Sequence, residues 1–283
     1  MSATGTAAPG YRPGRTLPLR VEAVRQLRRR RTMVVGGVLA AMPLIVLGAI
    51  WVGGAPGRED RTSFIELATS SGLNFATTML FMGTGFLLVI PVALFCGDTV
   101  ASEASWSSLR YLLAAPVPRA RLLVRKLTVA LAFSAAAVVL LPLVGLAVGT
   151  AAYGWGDLRL PTGATLPAAE ALPRLALAVA FVFLSELVVG ALAFWLSTAT
   201  DAPLGAVGGA VFASIVTGVL DAVTALGSLR EWLPAHWQYA WADALQPQLE
   251  WGGMLQGVSL SLSYAVILLA LAFRGFARKD VVS

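Results

Sequence analysis

Charge is what this sequence has least of. Only 13% of its 283 residues are charged while 57% are hydrophobic, and the mean hydropathy is +0.77. An average soluble domain carries about one quarter charged residues, so a fold of this size in water would lack the polar groups to cover its surface. Cysteine and histidine occur once each, as Cys96 and His236. That excludes a disulfide framework and falls short of the three or four nitrogen and sulfur ligands of a zinc site. Lysine occurs twice, as Lys126 and Lys279, and neither follows a glycine. A phosphate-binding loop ending in Gly-Lys-Ser/Thr is therefore excluded, and HExxH, GxSxG and GxGxxG are missing as well.

What the chain has in quantity is long apolar runs. Six of them approach the roughly 20 residues that a helix needs to cross about 30 Å of hydrocarbon. They lie at Met33 to Val52, Leu73 to Phe95, Leu127 to Ala151, Leu175 to Leu196, Leu204 to Leu226 and Leu255 to Phe273. The first is too long for the core of a cleaved signal peptide. The pattern predicts an all-α integral membrane protein with six transmembrane helices. Residues 1–16, rich in Ala, Gly, Pro and Thr, are predicted to be a disordered tail, and residues 17–283 a single transmembrane domain. Between tail and first span, Val21, Val24 and Leu27 recur at helical spacing among Arg20, Arg25, Arg28 and Arg29. This predicts an interfacial basic helix on an anionic membrane surface.

The excess of six positive charges follows the same logic, because the basic residues cluster beside apolar runs; membrane topology accounts for them without nucleic acid. With the N-terminus inside, cytoplasmic segments hold eight Lys and Arg before the first span, five between spans two and three, and three at the C-terminus. The opposite side holds five, Arg58, Arg61, Arg159, Arg174 and Arg230. Retention of positive charge inside predicts cytoplasmic termini in the cell membrane. Trp51, Trp155, Trp232, Trp237, Trp241 and Trp251 all fall on the predicted outer side. The stretch Trp232 to Trp251 is too polar to span and too aromatic for a free loop, which predicts interfacial or re-entrant helices before span six.

The segment between spans two and three carries the most specific pattern. Apolar residues at Val100, Trp106, Leu109, Tyr111, Leu112 and Leu113, with an acid at Glu103, predict an amphipathic helix on the inner face. Pro116 and Pro118 stop it, and a short basic stretch, Arg119 to Lys126, leads into span three. On Glu103, Leu109, Leu112, Leu113, Pro116, Arg119 and Lys126 the chain resembles the permease subunits of ABC-2 type (type V) ABC transporters, whose loop runs from an acid through Gly-Thr and a Leu-rich stretch to Pro-x-x-Arg and a lysine. Ser107-Ser108 stands where that family has Gly-Thr. The ending Phe276-Ala277-Arg278-Lys279-Asp280 is similar to the short basic-acidic ending common there.

The resemblance implies a division of labour. The chain would form the path across the membrane and hold no cofactor. ATP and magnesium would bind a separate cytosolic ATPase subunit, present in two copies beside a second permease subunit, as a homodimer. The loop would be the coupling helix, with Trp106, Leu109, Leu112 and Leu113 supplying buried contact and Glu103 and Arg110 fixing the register. The implied substrate is amphipathic or lipid-like, moved outward. Two other readings stay open on sequence: a membrane-embedded lipid-modifying enzyme and a non-transporting membrane partner of an ATPase.

Within the spans two acids stand out. Glu186 is near the middle of span four, where an ionised side chain costs several kcal/mol unless paired or hydrated. It is predicted to line the translocation path or a subunit interface, or else to be a protonated carboxyl bonded to a neighbouring Ser or Thr. Asp221, nearer a span end, is placed within reach of water. For His236 the surroundings predict an interfacial side chain. Gly145 and Gly149, and Gly205 and Gly209, have the spacing of close helix approach.

Overall fold

The structure, a computed structural model, describes residues 18–53, 64–105 and 118–278. The predicted tail, residues 1–16, and Lys279 and Asp280 of the C-terminal ending lie outside the described residues. The chain is an all-α protein. Its helices are α1 (Leu19–Leu27), α2 (Arg30–Gly53), α3 (Phe64–Ala68), α4 (Gly72–Met82), α5 (Val89–Ser105), α6 (Arg119–Tyr153), α7 (Ala168–Ala199), α8 (Pro203–Asp221) and α9 (Gly252–Arg278). Five of these, α2, α6, α7, α8 and α9, are each long and apolar enough to cross a membrane, and the bent pair α4 and α5 makes a sixth if counted as one.

Helices leave the lipid phase at two chemically distinct ends. The charged end gathers α1, the last turns of α5 and the first turns of α6. It also receives the C-terminus of α9, because Arg119 donates to the carbonyl of Ala277 at 3.2 Å. A cation at the last carbonyls of a helix satisfies acceptors that have no intrahelical partner. The other end carries most of the described tryptophans. There a hairpin of β1 (Leu158–Arg159) and β2 (Thr165–Leu166), paired Leu158 to Leu166 and Arg159 to Thr165, is pinned to α4. The Asn74 amide donates to the carbonyl of Arg159 at 2.7 Å and accepts from its N–H at 2.9 Å. Ser71 caps α4 by accepting from the N–H of Asn74, and Asp157 accepts from the N–H of Ala168 at the start of α7.

Packing centres on α7, whose most extensive neighbours are α9 and α5, with α4 laid against α6. The glycines of α6 make that last contact possible: a Cβ at Gly149 would sit 2.5 Å from Phe75, and one at Gly145 2.8 Å from Met79. Small residues at such crossings let backbones approach where lipid offers no hydrophobic drive to association. Elsewhere helices part. Pro142 of α6 and Pro173 of α7 line one apolar groove of about 510 Å³ with Val139, Leu143, Leu172 and Phe183.

Two departures from the sequence expectations have physical causes. The apolar run Leu73 to Phe95 is not one straight helix; it bends by 47° at a π-turn, Gly83–Leu87. Thr84 is extended and Gly85 takes φ +90°, a left-handed conformation that glycine adopts without a side-chain clash. The basic stretch Arg119 to Lys126 is helical and continuous with span three, as the first turns of α6. Finally, α8 ends at Asp221, short of Leu226, and the following residues form 3₁₀ turns over Thr224–Trp232, Pro234–Trp237 and Ala240–Leu245. Asp221 pairs with His236, so the chain turns there even though the next five residues are mostly apolar.

The 3₁₀ turns close the break in α4 and α5. Tyr239 donates its hydroxyl to the carbonyl of Thr84 at 3.0 Å, an acceptor that the non-helical ψ of Thr84 releases from the ladder. Burial holds the Tyr239 phenol above its usual range, so it remains a donor. Backbone groups at membrane depth need such internal partners. Gly85→Ala is expected to cost about 1–3 kcal/mol, because its Cβ would also lie 3.1 Å from the Tyr239 oxygen. Tyr239→Phe should cost about 1 kcal/mol. Thermal unfolding in detergent measures both, and unchanged midpoints would show that the break is not held from the tryptophan end.

Candidate functional site

Two places combine burial with ionisable groups. The first is the charged end, where three acids and four bases converge from α1, α2, α5 and α6. Asp98, Glu103 and Lys126 are 1%, 3% and 2% exposed. Lys126 has three ammonium protons and three acceptors: Glu103 Oε1 at 2.6 Å, Glu22 Oε1 at 3.3 Å and the Thr99 carbonyl at 3.3 Å. Arg25 donates to the same Glu103 oxygen at 3.2 Å and lies 3.5 Å from Glu22. One turn deeper, Asp98 is held between Arg29 and Arg31.

Local sequence explains how these groups meet. Arg28 closes α1 with an αR residue, and Thr32 donates to the carbonyl of Gln26 at 2.7 Å, so α1 folds back from α2. Glu22 and Gln26 then turn into the protein and the half-exposed Arg25 reaches in to Glu103, while Leu19, Val21, Val24 and Leu27 remain exposed. An exposed apolar face on a basic helix fits contact with lipid. On α5, Thr99 donates to the carbonyl of Cys96 at 2.5 Å, and Ser197 of α7 accepts from the N–H groups of Val100 and Ala101 at 3.1 and 2.9 Å. α7 thereby fixes the rotation of the turn that carries Asp98 and Glu103.

Of the residues expected to dock a partner, Glu103 is thus inside the chain, joined to Lys126 and Arg25. Trp106, Leu109, Arg110, Leu112 and Leu113 lie outside the described residues. Sequence periodicity did not reveal the Glu103 to Lys126 pair. Its signal was present, however, in the only lysine that precedes the C-terminal one, standing at the edge of an apolar run opposite an acid at the edge of another.

The second place is Glu186, about midway along α7 and 7% exposed. Its Oε2 is buried without a hydrogen-bond partner, and among the described residues no ion pair or hydrogen bond reaches the carboxyl. The bonded Ser or Thr that a purely structural role would use is not there. Instead Glu186 lines a cavity of about 80 Å³ between α7, α8 and the 3₁₀ turns, with Ser185, Ser214, Thr217 and Gln238. By this measure the space exceeds what one water needs.

At the tryptophan end, His236 Nδ1 lies 2.6 Å from Asp221 Oδ1 and its ring stacks edge-on against Trp237. Trp237 donates to the carbonyl of Glu231 at 2.9 Å. Trp241 is buried, whereas Trp51, Trp155, Trp232 and Trp251 are exposed. Asp243 is held above the usual carboxylate range by burial and, second, by the charge of Glu250.

A bundle of long apolar helices with a buried ion cluster at one end, a lone acid at mid-depth and exposed tryptophans at the other end defines an α-helical membrane protein. Over residues 55–282 the chain matches the family described as protein of unknown function (DUF2705), and it belongs to that family. No curated protein matches it.

The charged end makes a stability prediction. Lys126→Met would take from buried Glu103 its nearest cation, leaving Arg25 at 3.2 Å, and is expected to cost about 3 kcal/mol, the low end of the range for breaking a buried pair. The double variant Glu103→Leu, Lys126→Met should recover much of that loss. Denaturation of the two single variants and the double variant gives the coupling, and additive losses would deny the pair its role.

Proposed function

We propose that this chain is the membrane subunit of an ABC-2 type transporter. In this reading it has six spans, with α4 and α5 as one, and cytoplasmic termini in the cell membrane. Two copies work with two cytosolic ATPase subunits, which bind ATP and magnesium, to export an amphipathic or lipid-like molecule. One observation carries the reading. The twelve residues 106–117 are flanked by Glu103 and Lys126, whose side chains pair at 2.6 Å in a buried cluster that also holds α1. A short segment joined to two spans through so stiff a base can pass a rigid-body shift into the membrane. The family's acid and lysine would then serve as the clamp beneath the coupling element, and Trp106, Leu109 and Leu112 as its contact surface.

Support also comes from the two ends of the described chain. Glu22 and Ala277 both reach the charged end, which an even number of crossings requires. That end holds the basic residues that favour the cytoplasm. Cysteine substituted at Ala115 is expected to resist an impermeant reagent applied to whole cells; rapid labelling would reverse the orientation.

Docking is tested by co-purification. Truncating an anchor at a packed interface costs about 2 kcal/mol, so Trp106→Ala should weaken retention of the ATPase subunit by roughly 30-fold while inserting normally. Full retention together with full transport in Trp106→Ala and Leu109→Ala would remove the segment from the coupling role.

A further inference from the structure

We propose that the Glu186 cavity is a binding site for a small monovalent cation that donates hydrogen bonds, namely a primary ammonium group. Three of the polar side chains that line the cavity, Glu186, Ser185 and Thr217, present acceptors to it. The Ser185 hydroxyl donates to the carbonyl of Phe181 at 2.9 Å, and the Thr217 hydroxyl donates to that of Ser214 at 2.9 Å. With their protons committed to the helices, both oxygens offer only lone pairs to the cavity. Glu186 adds a carboxylate oxygen with no partner among the described residues, and the amide of Gln238 borders the same space. Among the described residues no Lys, Arg or His lines the space. A site built of acceptors around one carboxylate is completed by a positive donor.

Size and charge narrow the choice. About 80 Å³ accommodates an ammonium head with little else, not a bulky organic cation. Among the described residues no three His, Cys, Asp or Glu side chains converge to hold a metal, and a single carboxylate leaves a divalent ion half-neutralised at a depth where net charge is costly. An ammonium group uses three N–H donors on three acceptors, the same count that Lys126 satisfies at the charged end. Alkali ions share the charge but donate nothing.

Cation binding here does not depend on the ATPase assignment. That the occupant is the headgroup of a transported molecule does rest on the permease reading. The full chain alone, in phosphatidylcholine nanodiscs, is titrated with butylammonium, butyltrimethylammonium and sodium chloride while the thermal midpoint is followed. Butylammonium is expected to raise the midpoint saturably, with at least tenfold higher apparent affinity than the quaternary analogue. Glu186→Gln should lose that affinity at least tenfold. Thr217→Val, which keeps the charge, should lose it several-fold, and it decides the matter if Glu186→Gln fails to fold. Equal binding to wild type and variants overturns the site, and a response to sodium larger than that to butylammonium overturns the ammonium assignment. Failure of ATPase co-purification would leave either result standing.

Discussion

Three protons on Lys126 and three acceptors around it hold the charged end together. A buried ammonium without them would be expelled or neutralised. With them, α1 is drawn onto α6 by Glu22, the last turns of α5 are tied to the first turns of α6 by Glu103, and the helices reach past the apolar runs into the polar phase. The length of α6, 35 residues or about 50 Å, follows from that anchorage. So does the inverted face of α1, whose polar side chains serve the cluster and whose apolar ones are left for lipid.

Much of the rest of the bundle follows the rule that polar groups at membrane depth find partners in the chain. Where α4 and α5 break, Tyr239 takes the released carbonyl. Ser197 accepts two N–H groups of α5, and hydroxyls along α6, α7 and α9 return to carbonyls one turn back. Glu186 departs from this rule. Its carboxyl has an accessible cavity where those groups have a bond, and Ser185 and Thr217 present acceptors to the same space. Structural polar groups in membranes are satisfied locally, and an unsatisfied one at mid-depth is the expected signature of a ligand site.

Much of this architecture was legible from hydropathy. The long apolar runs, the basic stretch before the first and the tryptophans at one side are compositional, and composition survives folding. Glu186 was legible for the same reason, as an acid in an apolar run. Its cavity was not, because Thr217 on α8 and Gln238 in the 3₁₀ turns are remote in sequence. Glu103 shows the opposite limit. Helical periodicity placed it on the surface of an amphipathic helix, but a period describes one helix, whereas Arg25 and Lys126 arrive from two others. The bend at Gly85 escaped notice because a glycine in a span is usually a packing residue. Only the extended Thr84 before it and the Tyr239 hydroxyl above it give this one a conformational role.

The central claim is that Glu103 and Lys126 make one rigid base of the two helix ends flanking residues 106–117. Its most direct test is the distance between spin labels at the exposed positions Ser105 and Ala120 of the membrane-embedded protein. The account predicts a single narrow distribution in the wild-type background and a broad or multiple one in Glu103→Gln. Equally broad distributions in both would contradict it.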